Sequence, residues 1–230
     1  MAKTAVKSSR KRKAATTAKP RLAALEKDNV RLRTQLKAAK AKIAALQLRA
    51  DTDALVDLPN RRGFMRELIR SIAYVKRYGA QAALVYLDVD GFKPLNDRFG
   101  HGAGDAYLKS LAEALVANVR LSDMVARLGG DEFAIILWNL TLSDAEARVR
   151  AIEDFVDLMT ITRKGVNIGT GVSAGVVMLD GGDVPERALE RADAQMYQRK
   201  LERRRQQAEA VRISRQRRGS RVAASEARKS

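Results

Sequence analysis

Apolar residues along this chain follow three kinds of pattern, and each predicts an element. From residue 21 to 52 the repeat is seven. Leu22, Asn29, Leu36, Ile43 and Ala50 fall at one core position, Leu25, Leu32, Ala39 and Leu46 at the other, and Asp53 closes the frame. Four heptads without a slip predict a coiled coil. Asn29 is the one polar residue inside the seam before its end, and a buried Asn there favours a parallel two-stranded register. Arg21 with Glu26, and Asp28 with Arg33, then meet across the pair with opposite charge. A helix packed on its own domain is the other reading of the same pattern.

Leu58-Pro59-Asn60, within Asp53 to Arg62, breaks the heptad, and a new helix begins near Gly63. Phe64, Leu68, Ile72 and Val75 recur in it at helical spacing. Ala82 to Leu87 is an unbroken apolar run, the pattern of a buried strand, and it delivers Asp88 at its end. Gly104 to Val119 returns to helical spacing, with Leu108, Leu111 and Leu115 on one face. Met124 to Leu128 and Phe133 to Trp138 flank Gly129-Gly130 and predict a hairpin. Ser143-Asp144-Ala145-Glu146 reads as a capping box opening the next helix. Val166 to Leu179 predicts a strand with a break at Gly169 to Gly171, and Pro185 opens a last helix running through Tyr197 into a basic tail. This order predicts an α/β fold with an antiparallel pair inside its sheet.

Composition narrows the picture. A chain of 230 residues holds one ordinary domain plus extensions, with enough length for a real core. Without cysteine it forms neither disulfides nor thiolate metal sites, and a cytoplasmic location is expected. No apolar stretch reaches the ~18 residues of a membrane span. Met1 to Pro20 lacks the apolar core of a secretion signal. The net charge of +17 suggests nucleic acid until it is divided along the chain. Residues 1–20, 21–52 and 199–230 carry net charges of +7, +5 and +9, whereas residues 53–198 hold 17 basic and 21 acidic side chains, a net of −4. The basic flanks are expected to be solvated tails with loose affinity for anions, and no specific nucleic-acid partner is expected. The expected organisation is a basic disordered tail (1–20), a coiled-coil dimerisation helix (21–52), a central domain (53–204) and a basic C-terminal tail (205–230).

The candidate chemistry lies in the central domain. Asp88-Val89-Asp90 ends the first strand and Asp131-Glu132 sits at the hairpin turn. If those strands are neighbours, the carboxylates converge on one sheet edge, where oxygen ligands from separate elements can hold Mg²⁺ and leave positions for phosphate oxygens. Gly129-Gly130-Asp131-Glu132-Phe133 alone equally fits a tight hairpin turn with solvated acids. Asp90 is expected to be structural. Asn96 and Asp105, set among glycines, have the donors and acceptors to read a guanine edge. A turn-closing Asn96 and a helix-capping Asp105 fit as well. His101, the only histidine, is expected to be a structural hydrogen-bonder.

Taken in order, these residues resemble the GGDEF family of diguanylate cyclases from about Asp53 to Arg204. The series runs through Asp53-Ala54-Leu55, Leu58-Pro59-Asn60-Arg61-Arg62, Asp88-Val89-Asp90-Gly91-Phe92-Lys93, Asn96-Asp97, Gly100-His101 with Gly104-Asp105, Gly129 to Phe133, Ser173-Ala174-Gly175, and Ala192-Asp193 with Tyr197 and Lys200. The resemblance implies an α/β (α+β) nucleotide-cyclase, palm-like domain with a central mixed sheet, preceded here by the coiled-coil helix. It implies condensation of two GTP into cyclic di-GMP with release of two pyrophosphates across a homodimer. Carried over residue by residue, Asp88, the Val89 carbonyl, Asp131 and Glu132 hold Mg²⁺, with Mn²⁺ as the alternative ion. Asp131 and Glu132 are the catalytic pair. Phe92, Lys93, Asn96, Asp105, Lys200 and Arg204 bind GTP, and the acid at 105 favours guanine.

Arg120-Leu121-Ser122-Asp123 matches the family's inhibitory Arg-x-x-Asp site for product; a local ion pair in a turn is the plainer reading. The chain departs from the pattern after Tyr197. Where the family usually has Ala-Lys-x-x-Gly-Arg-Asn, it has Arg199-Lys200-Leu201-Glu202-Arg203-Arg204-Arg205, so Arg203 replaces the glycine. Asp57 also stands where glycine is common. With 52 residues before the domain, control is expected through the coiled coil, a regulatory protein bound to it, or the tails. A noncatalytic module sensing cyclic di-GMP or GTP is the alternative function, and nucleic-acid association through the tails is a third.

Overall fold

The computed structural model describes residues 27–43, 46, 47 and 50–226, with the side chains of all but 207 and 210–226. It divides into two units, Met1–Ala50 and Asp51–Ser230. In the first, the described residues form a helix, α1, over 27–43, with 46, 47 and 50 also helical. Its heptad residues Leu32, Leu36, Ile43 and Leu46 are all more than half exposed in the single chain. The tail 1–20 and the heptad positions Leu22 and Leu25 lie outside the described residues.

The second unit runs α2 (Arg61–Tyr78), β1 (Ala82–Val89), α3 (Phe92–Phe99), α4 (His101–Ala117), β2 (Met124–Gly129), β3 (Glu132–Trp138), α5 (Leu142–Leu158), β4 (Ile161–Arg163), β5 (Val166–Ile168), β6 (Val172–Met178) and α6 (Pro185–Glu226). The strands β2-β3-β1-β6 form one sheet, in that order, and β4 and β5 pair separately. A mixed central sheet was expected, but all three pairings in the four-stranded sheet are antiparallel.

The apolar run of β1 is unbroken because both faces of this central strand are covered. Ala83, Val85, Leu87 and Val89 pack into a core with α4 and α5, including Leu108, Leu111, Leu115, Val149 and Ile152. Ala82, Leu84 and Tyr86 face α2 and α6, against Phe64, Leu68, Leu189 and Met196. Asp88 continues this second row, so strand alternation aims it toward the α2/α6 layer.

Local chemistry accounts for the element ends. Asn60 caps α2 by accepting from the amides of Arg62 and Gly63, and Gly79 closes it in the left-handed conformation. The capping box of α5 is Thr141 with Asp144, not Ser143 with Glu146 as the pattern suggested. The helix starts at Leu142, so Thr141 is the residue positioned to cap it. α3 was not anticipated, because Pro94 between two glycines reads as a loop. Pro94 is third in the helix, where its missing N–H has no intrahelical partner to lose. From 205 onward, in the basic segment into which the last helix was expected to run, α6 continues through Glu226.

Candidate functional site

Strand register brings the acidic residues together. Asp88 pairs across the sheet with Glu132, and the Val89 amide donates to the Asp131 carbonyl at 3.1 Å. The hairpin turn between β2 and β3 is Gly130-Asp131, and both Gly130 and Gly129, the last residue of β2, take positive φ (52° and 147°). Side chains are strained there and glycine is not. Arg127 secures the turn: its guanidinium donates to the Gly130 carbonyl at 2.7 Å and pairs with Asp53 at 2.9 Å. Arg127 carried no sequence signal. Its partner, Asp53, lies 74 residues away.

Lys200 of α6 pairs with Asp88 through its ammonium group. Burial pushes the Asp88 carboxyl above the usual carboxylate range; Lys200 pulls it down, and the charges of Asp131 and Asp90 push it up again. The Tyr86 phenol is pushed well up, first by burial and then by the neighbouring Glu132 carboxylate. Among the described residues no three His, Cys, Asp or Glu side chains are placed to hold a metal by themselves. The donor set still fits a hard divalent cation. Asp88 and Asp131 crowd like charge that such an ion relieves, Lys200 now balances it, and main-chain and phosphate oxygens can complete the shell.

Asp90 is two residues past Asp88, but β1 ends at Val89 and other contacts turn its side chain. Its carboxylate accepts from Ser173 Oγ at 2.8 Å and Arg203 Nε at 3.2 Å, and its amide donates to the Gly171 carbonyl.

Asn96 and Asp105 lie on α3 and α4. The Asn96 Oδ1 atom is buried and has no partner among the described residues. Gly104 explains how it fits, since a Cβ at 104 would overlap that oxygen and come within 3.0 Å of the Phe92 ring. The capping role for Asp105 fails: α4 starts at His101 after Gly100, without a side-chain cap, and Asp105 is its fifth residue, exposed. Lys93 is exposed in the first turn of α3. His101 is exposed and makes no side-chain hydrogen bond among the described residues. Arg204 is exposed and unpaired among them, whereas its neighbour Arg203 is engaged.

The Arg120–Asp123 turn is not closed by an ion pair. Asp123 accepts from the backbone amides of Arg120 (2.9 Å) and Trp138 (3.0 Å), and the Arg120 guanidinium is left exposed.

The family model described as "Diguanylate cyclase, GGDEF domain" matches residues 50–206. Diguanylate cyclase TpbB of Pseudomonas aeruginosa is 37% identical over 158 residues, covering 67% of this chain and 36% of TpbB. The chain spans between 23% and 36% of the length of the first curated relatives it matches. Among solved structures, the coiled coil and GGDEF domain of DgcB from Caulobacter crescentus, in complex with c-di-GMP, aligns with a TM-score of 0.66 at 28% identity, covering 75% of this chain and 92% of that one. Diguanylate cyclase SiaD of Pseudomonas aeruginosa, in complex with its activator SiaC, aligns at 0.63 and 28%, covering 82% and 76%.

Proposed function

Because this chain belongs to the diguanylate cyclase, GGDEF-domain family, we propose that it condenses two GTP into cyclic di-GMP. The observation that carries this reading is the meeting of Asp88 and Asp131 at paired strand ends with Lys200 against them. In each half of the reaction a 3′-hydroxyl attacks the α-phosphate of the other GTP. A phosphorus–oxygen bond forms, the bond to pyrophosphate breaks, and the hydroxyl proton is released. Two such steps yield the cyclic product and two pyrophosphates.

Asp88, Asp131, the Val89 carbonyl and Glu132 would hold Mg²⁺ or Mn²⁺. When bound, the ion supplies positive charge to the phosphate oxygens. Glu132 takes the hydroxyl proton. Lys93, Lys200 and the amide region around Phe92 bind phosphate, where cations stabilise the charge that develops on transfer. Arg204, exposed on α6, completes this set only once phosphate arrives. Asn96, with its unpartnered oxygen, and Asp105 recognise guanine.

Each domain holds one GTP, so turnover needs two domains facing each other. Residues 21–52 supply the pairing as a coiled coil, which raises the local concentration of the second domain. The exposed heptad leucines of α1 support this. The SiaC complex of SiaD supports a regulatory protein as a further partner. Product binds at Arg120 and Asp123 and restrains the enzyme. The domain assignments 21–52 and 53–204 stand with this proposal.

Incubating the full chain with GTP and Mg²⁺ and separating the products by chromatography tests it. Cyclic di-GMP and pyrophosphate are expected. Absence of product, even after bound cyclic di-GMP has been stripped away, rejects the enzyme; binding without turnover then identifies a sensor.

A further inference from the structure

We propose that Arg203 is a positioning residue that clamps α6 so that Lys200 meets Asp88. This rests on the role given to Lys200 above. Arg203 lies three residues beyond Lys200 on α6, nearly one helical turn. Its side chain is only 11% exposed, about as buried as that of Arg127 in its tie to Asp53. One arm of the guanidinium, Nε, donates to Asp90 at 3.2 Å, and another, Nη2, donates to Asp157 of α5 at 2.5 Å. The planar fork spans two carboxylates on different elements, which the single ammonium of a lysine does not reproduce. Two carboxylates hold it, one through Nε and one through Nη2, so its role here is that of a tie between elements.

Asp90 is a firm anchor. Ser173 holds its carboxylate, Gly171 its amide and Thr170 its carbonyl. It is also two residues from Asp88 along the chain. The clamp therefore joins β1 and α6 at points adjacent to the two members of the Asp88–Lys200 pair. Gly171 makes room for it: a Cβ at 171 would lie 2.5 Å from Arg203 Nη2. A glycine at 203, the residue the family usually carries, favours ending a helix. Arginine lets α6 run on and replaces that stop with a tether. Arg199, one turn earlier, adds a parallel tie to buried Glu153 at 2.8 Å.

The test uses the full chain and its variants Arg203→Ala, Arg203→Lys, Asp157→Ala, Lys200→Ala and the Arg203→Ala/Lys200→Ala double. Three quantities are measured: melting temperature, amide exchange over residues 196–206, and calorimetric affinity for a non-hydrolysable GTP analogue with Mg²⁺. Arg203→Ala should melt cooperatively, exchange faster around Lys200 and bind the analogue about tenfold more weakly, the scale of one charge-assisted hydrogen bond. Lys200→Ala should lose a similar factor and the double variant no more than either, because both changes remove one interaction. Arg203→Lys should recover little, and Asp157→Ala should show a smaller loss of the same kind.

Unchanged affinity in Arg203→Ala despite faster exchange makes the residue merely structural and overturns the proposal. So do losses that multiply in the double variant. A wild-type chain that binds no analogue refutes the function proposed above; unchanged exchange at Lys200 in Arg203→Ala refutes the clamp by itself.

Discussion

Asp88 of β1 and Glu132 of β3 are directly opposed in an antiparallel register, two carboxylates side by side on one face of the sheet. Like charges in that relationship repel. The fold tolerates them because Lys200 pairs with Asp88. The sheet edge is thus organised for charge that arrives with a ligand, at some cost to the empty protein.

Asp131→Ala tests that trade. Removing a charge that crowds Asp88 should leave the melting temperature unchanged or higher, while cyclic di-GMP formation falls by at least about a hundredfold. Chromatography of the products and a thermal melt report the two halves. A variant that keeps wild-type turnover removes Asp131 from the mechanism.

Gly104→Ala separates stability from recognition differently. Within an exposed helix this change normally stabilises by about 0.5–1 kcal/mol. At 104 the new methyl would displace Asn96 Oδ1, so the KM for GTP should rise about tenfold, with discrimination between GTP and ATP reduced. Steady-state kinetics with both nucleotides measure it, and unaltered selectivity would count against Asn96 as a base contact.

Arg120→Ala should raise activity at high product concentration without lowering the melting temperature, since its guanidinium is exposed. Asp123→Ala should behave otherwise. It strands the amides of Arg120 and Trp138 and should cost about 1–2 kcal/mol of stability. Product inhibition unchanged in Arg120→Ala would reject the inhibitory site.

The Thr141–Asp144 capping box carries a pH dependence of definite sign. Hydrogen bonds from the Thr141 hydroxyl and amide hold the Asp144 carboxyl below its ordinary value of 3.8. The folded state therefore binds that proton more weakly than the unfolded state, and the stabilisation is complete well above pH 3.8 and lost as pH falls through the lowered value. Asp144→Asn, which resembles the protonated acid, should melt lower than wild type at neutral pH. The two melting curves should converge below pH 3.8, and a gap independent of pH would refute the assignment.

Replacing Leu32 and Leu36 with polar residues should lower the mass seen by light scattering from dimer to monomer and reduce turnover at low protein concentration. Both are more than half exposed in the single chain, so the monomer's stability should not change. An unaltered mass would remove α1 as the pairing element.

What could be read in advance follows the physics of each element. β1, the hairpin and α2 were legible because apolar runs of characteristic period lie between strong turn residues, and Asp88 and Asp131 fall at their ends. α3 and β4 were not, whereas β5 lies in the expected strand before its break at Gly169 to Gly171. Pro94 and the glycines masked α3, and the three-residue β4 is too short to show a period. The capping box expected at Ser143 with Glu146 is set two residues earlier, at Thr141 with Asp144, because the helix starts at Leu142. Least legible were the ties that align the site. Arg127 with Asp53 and Arg203 with Asp90 join residues 74 and 113 positions apart, and local pattern carries no trace of such pairs.

Where the chain tolerates changes in length follows from α6. A helix advances about 100° per residue, so one residue inserted or deleted between Leu189 and Arg199 would turn Arg199, Lys200 and Arg203 together off their four acidic partners, Glu153, Asp88, Asp90 and Asp157. No side-chain adjustment restores all of them at once. The turn at Lys164-Gly165, which joins the two strands of the separate small sheet, has no such phase to keep. Natural variation in length should therefore collect at that turn and be absent from the first four turns of α6.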